Sequence, residues 1–493
     1  TGSGSIDLRS NGGALATPGA LTTTGGNVTL VGASGLTVAN AIATGGGALS
    51  LSGAGAGGLA VNAGLALTTA GGPVTLAGGG AGLNLNNGVS IDAGSGAILV
   101  DGNAAPIQLN ASTLSTGSSA ANAVTIRDAT TVALGNVTAP AGTLLLGIGQ
   151  DITGAVTQNP TTVLNVDTVS ASTAGSITLS GANTLTNLGA VTRGGALTVN
   201  DLGGLNLTGP ISGGDTANAV SIVTSGGALA LVTGAITASG AGGNLTLGGL
   251  GVTQSTGALL VGGTTTVDAG AGAIDLQSGA NAFGGVVNLA NSGSANVTIG
   301  TGGAIQLGAV NVGAGTLDVS AAGITQAAGA IVQAAGADAA SFAAGGNAIT
   351  LNNAGNDFTG TLNLANNGAN DVQVRNASGL QLGTLNVGSG TLTVAASGPI
   401  SQSAGGSVTQ AIGAGAAAFT TGAYAITLNN AGNDYTGAVS LANSGPNNVL
   451  LRDANALQLG SIAVGSGTLG ITAGGPITQS AAGSVVQAAG AGA

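Results

Sequence analysis

The chain has 493 residues and a formal net charge of −11, with only 4 % charged residues. All the acids are Asp, the five bases are Arg9, Arg127, Arg193, Arg375 and Arg452, and His and Cys are absent. These facts exclude the usual zinc, haem, iron–sulfur and copper sites, a cysteine nucleophile, a Ser-His-Asp triad and a basic nucleic-acid surface.

The N-terminal stretch opens with "GSIDLRS" at 4–10, which resembles "GAIDLQS" at 272–278, so the chain begins inside a repeat. Short apolar/polar alternations follow: "NVTL" at 27–30, "GLTV" at 35–38, "ALSL" at 48–51, "GLAV" at 58–61, "PVTL" at 73–76 and "GLNL" at 82–85. Each has the period-two pattern of a β-strand and is bounded by Gly, Asn or Ser. No window carries a helical apolar stripe, and no 18-residue run is apolar enough for a membrane span. Similar runs return after about 21 to 25 residues, a period that marks a solenoid of short strands. Only 1 % of residues are aromatic, so Val, Ile, Leu and Ala must fill a narrow core while Thr, Ser, Asn and Gln face outward. The 97 Gly lack a G-X-Y period, which excludes collagen. Roughly 22 rungs about 4.8 Å apart predict a rod on the order of 100 Å.

Further along, "VTIRDATTVALG" at 124–135 aligns with "VLLRDANALQLG" at 449–460. Beyond residue 270 a longer period emerges. "AITLNNAGNDFTGTLNL" at 348–364 returns as "AITLNNAGNDYTGAVSL" at 425–441. "IQLG" at 305–308 returns as "LQLG" at 380–383 and 457–460, and "GITQ" at 323–326 returns as "PISQ" at 399–402 and "PITQ" at 476–479. The expected organisation is one continuous array over 1–493. Its rungs are more divergent over 1–270, and 271–493 hold three clear copies of a longer repeat, the last incomplete. A repeat of about 76 residues would hold three or four rungs. The last copy stops at "VVQAAGAGA", and no cap-like segment stands at either end. Bare ends imply either more chain beyond or end-to-end stacking of subunits.

The rungs "GGNVTLVGASGLTVANAIATGGGALSLSG" and the units "AITLNNAGNDFTG" and "GPITQSAAGSVVQ" resemble filamentous-haemagglutinin-like repeat proteins over essentially the whole chain. The resemblance implies an all-β fold, a single-stranded right-handed parallel β-helix (β-solenoid) with rungs of about 20–25 residues. It also implies export as a two-partner-secretion exoprotein or autotransporter passenger, an outer-membrane secretion partner, and work at the bacterial cell surface in adhesion, coats or biofilm.

Candidate sites are few. "AGNDFTG" at 354–360 and "AGNDYTG" at 431–437 are similar to calcium-binding glycine-rich nonapeptides, but calcium needs oxygens from successive turns and these copies stand a whole long repeat apart. The plainer reading is an Asn/Asp-Gly corner, with Asp357 and Asp434, followed by an aromatic plug. Phe283, Phe358 and Tyr435 hold equivalent places, stacked over one edge of the coil. Arg127-Asp128 and Arg452-Asp453 suggest local surface ion pairs, with Asn376 after Arg375 in the middle copy. Glycoside chemistry would need two carboxylates about 5 to 9.5 Å apart. The nearest in sequence are Asp92 with Asp101 and Asp268 with Asp275, neither with a supporting Arg nearby. Irregular Thr-x-Thr runs argue against an ice-binding face. The expectation is therefore a non-catalytic structural segment of a secreted bacterial surface solenoid, without cofactor, serving as a stiff adhesin stalk or an extracellular fibre. The alternatives are a self-assembling filament or sheath subunit and, less favoured, a polysaccharide-acting enzyme. Self-association end to end or laterally is expected. A host-surface or glycan partner would bind through regions outside this chain.

Overall fold

A computed structural model describes residues 2–213 and 218–490. The described chain is built of parallel β-strands stacked as solenoid coils, with a single 3-10 turn at Gly55–Gly57 the only helix among the described residues. It forms two compact units, Thr1–Leu250 with Ser255–Leu260, and Gly251–Gln254 with Val261–Ala493. Expectations about the last three residues of "VVQAAGAGA" lie outside the described residues.

In the first unit a coil is made of three short strands, such as Val28–Gly32, Leu36–Val38 and Ile42–Ala43. The next coil repeats them in register, so that Val28, Leu49, Val74, Ile98 and Val124 form one ladder and Leu30, Leu51, Leu76, Val100 and Ile126 another. Every residue of these two ladders is buried to within 1 %. Their neighbours Thr29, Ser50, Thr75 and Leu99 occupy the other side of the same strands, as the period-two pattern requires. Burial of apolar ladders contributes about 25 cal/mol per Å², and no coil does this without the one beside it.

The high glycine content has a steric cause at the coil corners. Gly26, Gly47, Gly72 and Gly96 form a column, and a Cβ on Gly47, Gly72 or Gly96 would collide with the carbonyl oxygen of the glycine one coil before. Beside that column runs a threonine ladder turned inward, not outward. The hydroxyls of Thr23, Thr44 and Thr69 donate to the carbonyls of Gly26, Gly47 and Gly72, closing each turn. Thr44 and Thr69 are fully buried. The expectation that polar residues all face outward is therefore corrected. At corners a hydroxyl folds back onto backbone groups that would otherwise be unpaired.

The second unit has the same parallel stacking, with longer strands that bend across a corner. In Ile305–Val312 the first arm, Ile305–Leu307, pairs with Ile324–Gln326, and the second, Val310–Val312, pairs with Ile331–Gln333. Leu380–Val387 and Leu457–Val464 are the equivalent bent strands. One ladder runs Ile305, Ile324, Ile349, Val372, Leu392, Ala417, Val439 and then Leu459, on the strand Leu457–Val464. Seven steps thus span two repeats, and one repeat occupies three and a half coils. Its middle copy, Leu380–Val387, belongs to a different ladder, between Thr361–Ala365 and Ile400–Gln410. Successive repeats therefore present the same residues on alternating sheets.

Candidate functional site

The most elaborate polar structure in the second unit recurs once per repeat, at the turn that carries the "GND" motif. Asn356 is fully buried. Its amide makes a reciprocal pair with Gln326, Gln326 Nε2 donating to Asn356 Oδ1 at 2.6 Å and Asn356 Nδ2 donating to Gln326 Oε1 at 3.0 Å. Asn356 Nδ2 also donates to the Leu351 carbonyl at 3.2 Å, and Asn356 Oδ1 accepts from the Ile331 N–H at 2.9 Å. The next repeat duplicates this with Gln402 and Asn433, at 2.7 and 3.1 Å. An earlier copy uses Gln254 and Asn281, at 2.9 and 3.0 Å. The first unit has the same device, Gln158 with Asn183, at 2.7 and 3.0 Å. An amide satisfied this fully loses little on burial, whereas a half-satisfied one is costly.

A second amide clamps each repeat. Asn366 donates through Nδ2 to the Asn347 carbonyl and accepts at Oδ1 from Gly368 N at 3.1 Å and Gly388 N at 3.3 Å. Asn443 does the same with Tyr424, Gly445 and Gly465, and Asn291 with Gly272, Gly293 and Gly313. Each side chain thus ties three successive coils. Neither device was singled out from the sequence. The signal was present, since the Gln of "ITQ" and "ISQ" and the Asn of "GND" recur at matching offsets.

The aromatic positions lie inside the coil rather than over its edge. Phe358 is buried to 1 % and Tyr435 to 2 %. Phe358 meets Phe342 edge to face at 5.8 Å, and Tyr435 meets Phe419 edge to face at 6.1 Å, the geometry aromatic quadrupoles favour. Phe283 is buried to 6 %. Asp357 and Asp434, at the same turn, are half-buried, and Asp357 Oδ1 accepts from Ser378 Oγ at 2.5 Å. The Asn of the motif is not a surface corner residue, as the sequence suggested, but the inward amide described above.

The adjacent Arg-Asp pairs do not form. Arg127 bonds Asp101 on the neighbouring coil, at 2.9 Å through Nη2 and 3.0 Å through Nε, while Asp128 has a left-handed backbone with φ 47°. Arg452 is exposed and Asp453 is 1 % exposed on the same strand. Arg375 and Asn376 are split in the same way, outward and fully buried. Successive strand residues point to opposite sides, so neighbours in sequence are the wrong partners and neighbours in register the right ones. The expected absence of an Arg near Asp101 is corrected by the same contact. Asp92 lies in register with Thr68 and Ser115, and Asp101 with Ala77 and Arg127. Asp275 lies in register with Thr253 and Thr298, and Asp268 with Ala290. Neither proposed carboxylate pair shares a ladder step.

Two carboxyls are buried among the described residues. Asp453 Oδ2 accepts from Tyr435 N at 3.1 Å and Oδ1 from Asn455 N at 2.8 Å. Desolvation raises its pKa above the ordinary carboxylate value, with Asp434 adding to the rise and the two backbone donors opposing it. Asp201, 3 % exposed, accepts from Leu185 N at 2.7 Å and Gly203 N at 2.8 Å, and desolvation raises it too. Arg193, 1 % exposed, donates to the carbonyls of Gly195, Asn218 and Thr237, and burial lowers its pKa. A groove of about 540 Å³ crosses six coils of the second unit. Its wall includes Thr298, Asp318, Ser341, Asn363 and Thr384, with Asp318 the one carboxylate, held by the Thr316 hydroxyl at 3.1 Å. A lone carboxylate provides no acid–base pair.

A family model described as repeats of unknown function (DUF5649) matches residues 194–290, 294–365, 369–442 and 446–493. These segments reach upstream of residue 271, to 194. The chain matches no curated protein and no solved structure.

Proposed function

The chain belongs to the DUF5649 repeats of unknown function, and from that premise we propose that it is a non-catalytic structural segment of a secreted bacterial cell-surface protein. It serves as a stiff adhesin stalk or as the body of an extracellular fibre. The observation that carries this reading is the fate of the polar side chains. The half-buried amide of Gln326, the buried amides of Asn356 and Asn366, and their copies are spent on joining one coil to the next. The carboxylates considered for catalysis lie on separate ladders. Surface location and export rest on the resemblance to filamentous-haemagglutinin-like repeats and on a composition without cysteine.

Very low charge suits association with further copies, because little self-repulsion opposes it. The display of each repeat on alternating sheets gives more than one side the same chemistry. Negative-stain electron microscopy of native material, with light scattering at several concentrations, tests the reading. Filaments or separate elongated particles support a structural role and choose between fibre and stalk. Compact globules would overturn it, as would hydrolysis of a polysaccharide panel.

A further inference from the structure

The corner that holds Asp453 exists in three versions along the second unit. At equivalent positions stand Thr301, Asn376 and Asp453, buried to 7 %, 0 % and 1 %. In the middle copy Asn376 acts from both ends of its amide. Oδ1 accepts from Phe358 N at 2.8 Å, and Nδ2 donates to the Gly379 carbonyl at 2.9 Å and to Ser378 Oγ at 3.3 Å. The amide thus holds the incoming turn and closes its own. In the last copy Asp453 accepts from Tyr435 N, the counterpart of Phe358 N, so the first half is kept. The other oxygen, Oδ1, accepts from Asn455 N at 2.8 Å. An ionised carboxylate has no proton to give, so the donation to the carbonyl that closes the turn is missing. The carbonyl in the place of Gly379 belongs to Ala456, one repeat further along the chain.

We propose that Asp453 is an acid-operated latch: on protonation its carboxyl donates to the Ala456 carbonyl, completes the contact made permanently by Asn376, and tightens this corner. One O–H···O bond forms and one proton is taken from solvent. No other group changes charge. The groups facing the carboxyl are Asp434 and the Tyr435 phenol. Arg452 points away on the exposed side of the same strand. The strand Leu469–Ala473, paired with Val449–Asp453, carries no titratable side chain. A like charge at Asp434 and a buried site both favour the neutral form.

The direction of the effect follows from the sign of the displacement. The folded-state pKa lies above the unfolded value near 3.8. The neutral corner's stability is therefore fully present below that value and is lost as pH rises through the higher folded one. Asp371 runs the opposite way, since Thr391 N–H lowers its pKa, so the readout must be local. Hydrogen exchange followed by mass spectrometry over residues 433–457, corrected for intrinsic pH dependence, compares the wild-type chain with Asp453→Asn and Asn376→Asp. In wild type, protection of this segment should rise on acidification, about tenfold for each pH unit that separates the folded pKa from the unfolded one. Asp453→Asn should make it high and independent of pH. Asn376→Asp should install a rise on acidification over residues 356–380, where wild type has none and Asp371 acts in the opposite sense. Protection at 433–457 that stays flat or falls on acidification would overturn the latch. A pH response unchanged by Asp453→Asn would do so as well. Should one variant fail to fold, the other still decides, because each predicts a change in a different segment.

Discussion

Position 435 sets the residue scale, because the repeat supplies its own control there. Phe358 and Tyr435 occupy the same place and make the same edge-to-face contact. The added hydroxyl of Tyr435 finds no partner among the described residues. Burial and the charge of Asp453 push the phenol's pKa far above its ordinary value, so it stays a neutral, unpaired O–H. An orphaned buried donor costs about 1–3 kcal/mol. Tyr435→Phe should therefore stabilise the second unit, read as a raised midpoint in denaturant with an unchanged slope. A lowered midpoint would mean that the hydroxyl has a water or backbone partner. Phe358→Ala should lose about 3–5 kcal/mol, since it removes a buried ring packed edge to face on Phe342 and leaves a cavity.

At the scale of the element, the bent strands and the amide pairs belong together. In Leu380–Val387 the bend falls at Gly383, where a Cβ would collide with Asn363 Oδ1 from the preceding coil. That oxygen accepts from Thr384 N at 2.9 Å, just past the bend. Gly308 with Asn288, and Gly460 with Ser440, repeat the arrangement. Gly383→Ala should therefore displace the Asn363 amide and destabilise the corner, although removing a glycine's backbone freedom would by itself stabilise the fold. Protection of Thr384 N from exchange should fall with it. The reciprocal pair yields a cleaner number. Gln326→Ala strands the buried Asn356 amide and Asn356→Ala the half-buried Gln326 amide, while the double variant removes both partners. The single losses should not add, with a coupling of about 0.5–3 kcal/mol in a double-mutant cycle. Strict additivity would show that the two amides act independently.

These same elements mark where sequence reading stops. Strand existence, the coil period and the inward ladders were legible, because period-two alternation states which side each residue takes. The partner of a residue was not, because it lies a full coil away and depends on register across a corner of variable length. Arg127 looked paired with Asp128 for that reason and in fact reaches Asp101. Asn356 looked like a turn residue because "AGND" has turn chemistry, and only the stacking of the coil containing Gln326 turns its amide inward. The copy at Gln158 and Asn183 was hidden further still, since the residues between them differ from those in the later repeats.

For the whole molecule the decisive facts are the scarcity of charge and the half-integral repeat. Two ion pairs occur among the described residues, the exposed Arg9–Asp7 and the half-exposed Arg127–Asp101. Joining of coils elsewhere falls to backbone ladders, apolar stacks and neutral amides. Neutral contacts are not screened, and exposed pairs add little. Because one repeat is three and a half coils, its amide clamps do not line up on one sheet but alternate between ladders, so reinforcement is shared around the coil. Stability should consequently be almost indifferent to ionic strength. Between about 0.02 and 0.3 M sodium chloride the thermal midpoint should move by less than about 2 °C, where ~1 kcal/mol corresponds to about 2–4 °C in units of this size. A small rise is the permitted direction, because salt screens the self-repulsion of net charge −11. A midpoint that fell steadily with salt would reveal stabilising charge networks and refute the view that neutral amides hold the coils together.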